Sequence, residues 1–304
     1  MPELPEVETV RRDLEKVLVG KKITAVEILD KKIVGGKPAV FVSAVNGKKI
    51  VGVERRGKLL AFKLSSGEYL LAHLKMTGQL ICVSLSLRAK RGNLIAGGHQ
   101  VGKNDLTVPN KFTRVIFAFS PPARGGARGG GSVGGTLYFN DLRRFGYLKV
   151  VSAEEKETIF KNNFGIEPLT PDFKLSAFTK IFRNRKTNLK AILMNQKLIS
   201  GLGNIYVDEA CFNAGLLPWR SAKSLKPPEI KKLFSCIQKV IAVAIKNRGT
   251  TFKDFRDGAG GRGAHYNFLN VYGRKGEKCR KCKNFIKKTK HAGRGTHFCP
   301  KCQR

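Results

Sequence analysis

Four cysteines near the end of the chain fall into two pairs, Cys279-x-x-Cys282 and Cys299-x-x-Cys302, with sixteen residues between them. A Cys-x-x-Cys turn brings two thiolates onto one side of a tight turn. Two such turns at the ends of a hairpin complete a closed tetrahedral zinc site. Four thiolates leave no coordination position for water, so a single structural Zn2+ is expected here. The segment between the pairs, Lys283 to Phe298, is rich in lysine and arginine. It reads as a metal-pinned hairpin that presents cations to a polyanion. The other cysteines, Cys82, Cys211 and Cys236, lie in apolar surroundings and are expected in the core.

The charge of the whole chain agrees. Lys plus Arg number 58 against 22 Asp plus Glu, a formal net charge of +36 over 304 residues. A charge that large needs an anionic partner, and nucleic acid is the first candidate. An anionic membrane is the second, but no apolar run approaches the roughly 20 residues that span a bilayer. The start, MPELPEVETV, lacks the basic and then apolar pattern of a secretory signal. Free zinc-binding thiolates favour a reducing compartment. A soluble intracellular protein that binds nucleic acid is expected, with no membrane partner.

The hydrophobic pattern divides the chain. Val7, Val10, Leu14, Val17 and Leu18 recur at helical spacing, and Gly20 stands where that helix should end. Short β-rich runs follow: ITAVEIL, AVFVSAV, KIVGVE, LLAFKL, YLLAHL, RVIFAF, TLYF and YLKVV. They predict an α+β chain whose N-terminal domain, 1–151, is an antiparallel β-sandwich with a flanking helix. Two Gly- and Arg-rich insertions, about 88–111 and 121–135, are expected to be long loops. The second resembles Arg-Gly-Gly segments that add loose nucleic-acid contacts.

Beyond residue 152 the period becomes helical. Pro227-Pro228 open a helix whose apolar stripe is Ile230, Leu233, Phe234, Ile237, Val240, Ile241, Ala244 and Ile245, and Gly249 ends it. Upstream, Leu189, Ile192 and Leu193 lead into NQKLISGLGN and then a further helix from Ile205. Helix, glycine-punctuated turns and helix suit a grip on a DNA backbone, because turns and a helix N-terminus expose N–H groups to a phosphate. A helical helix-two-turn-helix domain over 152–264 and a zinc-ribbon β-hairpin over 265–304 complete the expected organisation.

With these features in place, the opening Met1-Pro2-Glu3-Leu4-Pro5-Glu6 closely resembles bacterial formamidopyrimidine-DNA glycosylases. Further blocks match in family order: GKLL at 57–60, HLKMTGQL at 73–80, RRFG at 143–146, NQKLISGLGNIYVDEA at 195–210, VYGRKGEKCRKC at 271–282 and the HAGRGTHFCPKC ending. The resemblance implies a bifunctional DNA glycosylase and apurinic/apyrimidinic lyase of base excision repair. Its partner would be damaged double-stranded DNA, and it would work as a monomer in the bacterial cytoplasm, at the nucleoid.

An N-terminal proline, once Met1 is removed, offers a secondary amine. A free α-amino group titrates at about 8, so a useful fraction is neutral and nucleophilic near neutral pH. The resemblance makes Pro2 the nucleophile and Glu3 the acid–base group at the sugar. It places Lys58 at a phosphate near the lesion and His73 on another phosphate. Glu6 would be either catalytic support or a first-turn structural residue. Excision requires the damaged base to be flipped out, and Met76, Arg143 and Phe145 match the residues that fill the void. The family motif usually carries Asp-Pro before its arginine pair. Here it is Asp141-Leu142, which forgoes a rigid φ. Asn204, Tyr272 and Arg294 match a clamp on the kinked backbone. The stretch Asp257 to Ala264 aligns with the loop that closes over the flipped base.

Two alternatives stay open at this point. A sister group that removes oxidised pyrimidines typically starts Pro-Glu-Gly-Pro-Glu, and Leu4 argues for the purine branch. A non-catalytic DNA- or RNA-binding zinc-ribbon protein would explain the charge but not the Pro2-Glu3 start.

Overall fold

The computed structural model describes residues 1–84, 94–97, 108–120, 134–250, 264–291 and 293–304. It divides into two compact units, Met1–Thr158 with Arg248–Gly263, and Ile159–Asn247 with Ala264–Arg304.

In the first unit, helix α1 (Leu4–Leu18) carries Pro5 in its first turn, where a missing N–H costs nothing, and Glu6, which the helix dipole favours. Its stripe of Val7, Val10, Leu14 and Leu18 is buried. Then come β1 (Ile23–Ile28), α2 (Pro38–Val45), β2 (Ile50–Arg56), β3 (Leu59–Leu64), β4 (Tyr69–His73), β5 (Gly78–Ser84), β6 (Leu94–Gly97), β7 (Thr113–Phe119), β8 (Gly135–Asp141) and β9 (Tyr147–Val151). The strands form two sheets, ordered β1-β7-β8-β5-β6 and β2-β3-β4-β9. Every strand pairing in both is antiparallel. Alternation sends Val115, Phe117 and Phe119 of β7 inward, where they join Phe62, Leu70 and Leu148 of the other sheet in one buried cluster. Val10 and Leu14 of α1 pack into the same cluster, so the helix that begins at the N-terminus is fixed by the sandwich core.

Two expectations are corrected here. The run AVFVSAV, read as a strand, is helix α2. Strand alternation would bury Phe41, Ser43 and Val45 together. Instead Phe41 and Val45 are buried and Ser43 is exposed, as helical i, i+4 spacing requires. Pro38 supplies the fixed φ that starts the turn, and tertiary burial outweighs the strand preference of the valines. The stretch 88–111, read as one loop, contains β6, which pairs with β5 from Leu80↔Gly97 to Val83↔Leu94. The rest of that stretch up to residue 107, and residues 121–133 of the second insertion, lie outside the described residues.

Helix α3 (Ala153–Asn163) is divided between the units after Thr158, and the second unit goes on with α4 (Leu175–Phe182), α5 (Leu189–Met194), α6 (Asn204–Ala214), α7 (Pro227–Lys246), β10 (Lys287–His291) and β11 (Arg294–Phe298). On α7, Ile230, Leu233, Ile237, Ile241 and Ala244 are buried as the 3.6-residue period requires. Its Phe234 stacks on Phe173 with centroids 4.8 Å apart. Strands β10 and β11 form an antiparallel hairpin closed by the pair His291↔Arg294. Cys82 and Cys211 are core residues, but Cys236 is only partly buried, where it lines a groove with Lys239 and Val243.

Candidate DNA-repair site

Pro2 and Glu3 are both buried at the start of α1. Glu3 is the residue that caps the helix, and its backbone N–H donates to Glu6 Oε2 at 2.9 Å. The other oxygen of Glu6 accepts the backbone N–H of Thr250 at 2.8 Å. Glu6 therefore ties the N-terminal residues to the segment that follows α7, and this gives it a structural role that its sequence position left open. A Cβ on Gly249, whose φ is +79°, would lie 2.8 Å from that same carboxylate, so the approach requires glycine.

Two residues further along α1, Glu8 gathers three guanidinium groups. Its oxygens accept from Arg11 Nε at 3.1 Å, Arg12 Nε at 2.7 Å and Arg55 Nε at 2.9 Å. Burial raises the Glu8 pKa, but these cations outweigh it and hold the carboxyl down at about 2. Arg55 then donates from Nη1 to the carbonyl of Gly57 at 2.9 Å. Gly57 has a positive φ of 57° and begins the turn that carries the buried Lys58. The helix bearing Pro2 and the turn bearing Lys58 thus share one charged link.

Leu59, next to Lys58, pairs across the sheet with His73. Burial, with the positive charges of Lys75 and Lys58, pushes the His73 pKa down to about 3. Its Nδ1 accepts the backbone N–H of Lys75 at 2.9 Å. His73 is therefore neutral at physiological pH, with its proton on Nε2.

Met76, Arg143 and Phe145 come together as an exposed cluster. Arg143 Nη1 lies 3.2 Å from Met76 Sδ, and its guanidinium sits 4.6 Å from the centroid of the Phe145 ring. Met76 is 40% exposed and Phe145 51%, which is unusual for such side chains unless something covers them. The two turns that present them are bound by Asp141, which is fully buried. It accepts from the Thr77 hydroxyl and from the backbone N–H groups of Arg143 at 3.1 Å and Gly146 at 2.7 Å. Gly78 and Gly146 are required by space: an added Cβ would come within 2.5 Å of the Leu74 carbonyl oxygen and 2.8 Å of the Phe139 ring respectively.

In the second unit, α6 is the hub. The turns before it are held by Gln196, which donates to the Met194 and Leu202 carbonyls and accepts the Gly201 N–H at 2.9 Å. Asn204, the first residue of α6, donates to the Gly295 carbonyl at 3.0 Å and to the Tyr272 hydroxyl at 3.4 Å. Asn204 and Tyr272 thereby meet the hairpin on which Arg294 is exposed. Asp208 and Lys190 form a fully buried ion pair at 2.6 Å, and Lys190 also donates to Thr296 Oγ1 at 2.9 Å. Asp208 accepts the His297 backbone N–H at 2.8 Å. Glu209 accepts the backbone N–H groups of Asn270, Val271 and Tyr272. Sequence reading assigned Asp208, Glu209 and Lys190 no role. The available signal was two adjacent acids inside a helix of a chain with only 22 acids in all.

Cys279, Cys282, Cys299 and Cys302 bring their Sγ atoms within 4.8 Å of one another. Four thiolates at 2.3 Å from one zinc would be about 3.8 Å apart, so the cluster fits the ion. Sγ separations of 3.9 Å for Cys279–Cys302 and 3.4 Å for Cys282–Cys299 bracket that distance. The cluster packs against Phe212 of α6, Val271 and Ile286. Pro2, Glu3, Lys58, His73, Met76, Arg143 and Phe145 belong to the first unit, and Asn204, Tyr272, Arg294 and the cysteines to the second. Of the stretch expected to cap the base, Asp257 to Gly263 lies outside the described residues.

Comparison with known proteins agrees along the whole chain. The formamidopyrimidine-DNA glycosylase N-terminal domain matches residues 1–148, the formamidopyrimidine-DNA glycosylase H2TH domain matches 164–256, and a zinc finger found in FPG and IleRS matches 276–304. The formamidopyrimidine-DNA glycosylase of Heliobacterium modesticaldum is 39% identical, with all of both chains covered. That of Carboxydothermus hydrogenoformans is 36% identical over all of both chains. A crystal structure of Lactococcus lactis FPG with a FAPY-dG containing DNA has a TM-score of 0.82 at 34% identity, covering 99% of this chain and all of the other. A complex of Lactococcus lactis Fpg with abasic-site DNA also has a TM-score of 0.82, at 34% identity, covering 99% of each chain. The chain belongs to the formamidopyrimidine-DNA glycosylase family.

Proposed function

We propose that this enzyme excises oxidised purines, 8-oxoguanine and formamidopyrimidines, from double-stranded DNA and then cuts the strand. The observation that carries the reading is the Pro2-Glu3 pair, held at the buried start of α1 in a chain that aligns with this family from end to end.

Once Met1 is removed, the neutral Pro2 nitrogen attacks the sugar C1′. The glycosidic bond breaks, and its electron pair leaves with the damaged base, which takes up a proton. The sugar ring opens as the nitrogen forms an iminium, with Glu3 moving protons at the sugar. The iminium acidifies the C2′ proton. Loss of that proton expels the 3′-phosphate, and a second elimination expels the 5′-phosphate. Lys58 and Nε2–H of His73 bind phosphates beside the lesion. Met76, Arg143 and Phe145 enter the gap left by the flipped nucleotide, with Arg143 donating to the orphaned cytosine. Asn204, Tyr272 and Arg294 clamp the backbone, and the zinc holds the hairpin that carries Arg294.

The division into a catalytic segment 1–151, a DNA-gripping segment 152–264 and a zinc finger 265–304 is part of the same reading. So are work as a monomer and a place in the bacterial cytoplasm at the nucleoid. Support for a DNA partner comes from the net charge of +36. Among the described residues no helix is long and apolar enough to cross a bilayer.

The test is cleavage of a duplex with a single 8-oxoguanine opposite cytosine. The expected product is a one-nucleotide gap flanked by phosphates. Cleavage confined to duplexes with an oxidised pyrimidine would assign the chain to the sister group instead.

A further inference from the structure

Trp219 is the only tryptophan in the chain. It lies on the short connection between α6 and α7, far in sequence from the zinc hairpin, yet its ring is set against that hairpin. The indole stacks on the imidazole of His291 with centroids 4.5 Å apart and planes 16° from parallel. It also meets the Phe298 ring edge-on, at 4.6 Å and 89°. These contacts fall at the two ends of the hairpin. Phe298 pairs with Lys287 at its base, and His291 pairs with Arg294 at its tip. By strand alternation His291, Arg294 and Phe298 share one face.

The zinc holds only the base of this hairpin. Cys299 directly follows β11, and Cys279 and Cys282 precede β10. A two-stranded hairpin is marginal on its own in water, so its tip needs a second support. Lys190 and Asn204 reach the carbonyl of Gly295, and the Trp219 stack engages the other strand at His291. Stacked aromatic pairs add about 0.5–1.5 kcal/mol beyond the area they bury. They also fix ring orientation, which is what an arginine on the paired residue requires.

We infer that Trp219 is a positioning residue for Arg294: it stacks on His291 and so holds the tip of the zinc hairpin in the pose that puts Arg294 on a DNA phosphate. This rests on the reading above that Arg294 contacts the DNA backbone.

The experiment is a double-mutant cycle on the zinc-loaded full chain, titrated against a duplex with a stable abasic-site analogue. Arg294→Ala is expected to weaken binding roughly tenfold, the size of one lost charge-assisted hydrogen bond. Trp219→Ala should weaken it by several-fold with zinc content unchanged, and Trp219→Phe should restore most of the loss. In the Arg294→Ala background, Trp219→Ala should add almost nothing. His291→Ala, which removes the stacking partner and leaves the indole in place, should reproduce Trp219→Ala and serves as the second variant if the latter does not fold. Fully additive losses in the Arg294→Ala background would overturn the inference, as would unchanged affinity on removing Trp219 or His291. Unchanged affinity in Arg294→Ala alone would instead defeat the reading on which it rests. Emission from the single indole gives an independent readout: it should shift when the duplex binds, and an unchanged spectrum at saturation would count against the hairpin tip being engaged.

Discussion

Asp141 Oδ1 accepts the backbone N–H of Arg143 at 3.1 Å, across the intervening Leu142. Leu142 supplies no rigid φ, and hydrogen bonds hold the bend. The same carboxylate also takes the Gly146 N–H and the Thr77 hydroxyl, so both turns that present Met76, Arg143 and Phe145 converge on one buried group. Arg144, with φ at 56°, completes the bend between Arg143 and Phe145 and pairs with Asp30 at 3.2 Å.

Asp141→Ala should therefore damage stability and function together. It leaves the buried N–H of Gly146 without its acceptor, at about 1–3 kcal/mol, while the N–H of Arg143 keeps only the Thr77 hydroxyl at 3.0 Å. A lower denaturant midpoint with an unchanged slope is expected, together with reduced discrimination between cytosine and adenine opposite the lesion. Retained selectivity in a destabilised protein would separate Asp141 from the pose of Arg143.

Lys190 and Asp208 are both fully buried, so removing one partner strands the other. Asp208→Leu alone should cost roughly 3–5 kcal/mol, whereas the double change Asp208→Leu with Lys190→Met should recover much of the loss. Urea unfolding of the two variants measures this. Equal destabilisation would mean that the hydrogen bonds to Thr296 and His297, rather than the uncompensated charge, dominate.

Much of this architecture is legible in the sequence, and the failures have physical causes. The α1 stripe and the α7 stripe read directly, because each buries one face against a single core. The α2 run was misread because a short β-branched segment fits either period until one knows that Ser43 faces outward. The cysteine ligands and the NQKLISGLGN turns are local and therefore visible. Glu8, Asp141, Asp208 and Glu209 are not, because each also accepts hydrogen bonds from residues distant in the chain, and those bonds join separate elements. Arg55 lies 47 positions from Glu8, and Thr77 lies 64 from Asp141. No spacing rule connects such pairs.

Acid should weaken the first unit in two stages. His73 has a folded pKa near 3, below the ordinary 6.5, so the unfolded chain takes its proton first and stability declines as pH falls from about 6.5. Glu8, held at about 2 rather than 4.5, contributes stability that is present above 4.5 and lost as pH falls towards 2. His73→Gln should flatten the melting temperature between pH 6.5 and 4.5 while leaving the steeper loss below. An identical pH profile in the variant would contradict the buried, neutral imidazole.

Zinc removal by a chelator, or Cys299→Ser, should weaken DNA binding while the β-sandwich keeps its thermal transition. The four cysteines pack with Phe212, Val271 and Ile286 of the second unit, and among the described residues no sandwich residue belongs to that cluster. Calorimetry with a parallel binding titration checks both halves. Unchanged affinity would show that the hairpin does not act as a clamp.

The most direct test of the mechanism is borohydride trapping with a free Pro2 on a duplex containing 8-oxoguanine opposite cytosine. The account predicts a covalent protein–DNA adduct that maps to the Pro2 nitrogen and disappears when Met1 or a tag blocks it. Strand cleavage without any adduct, or normal turnover with the terminus blocked, would contradict it.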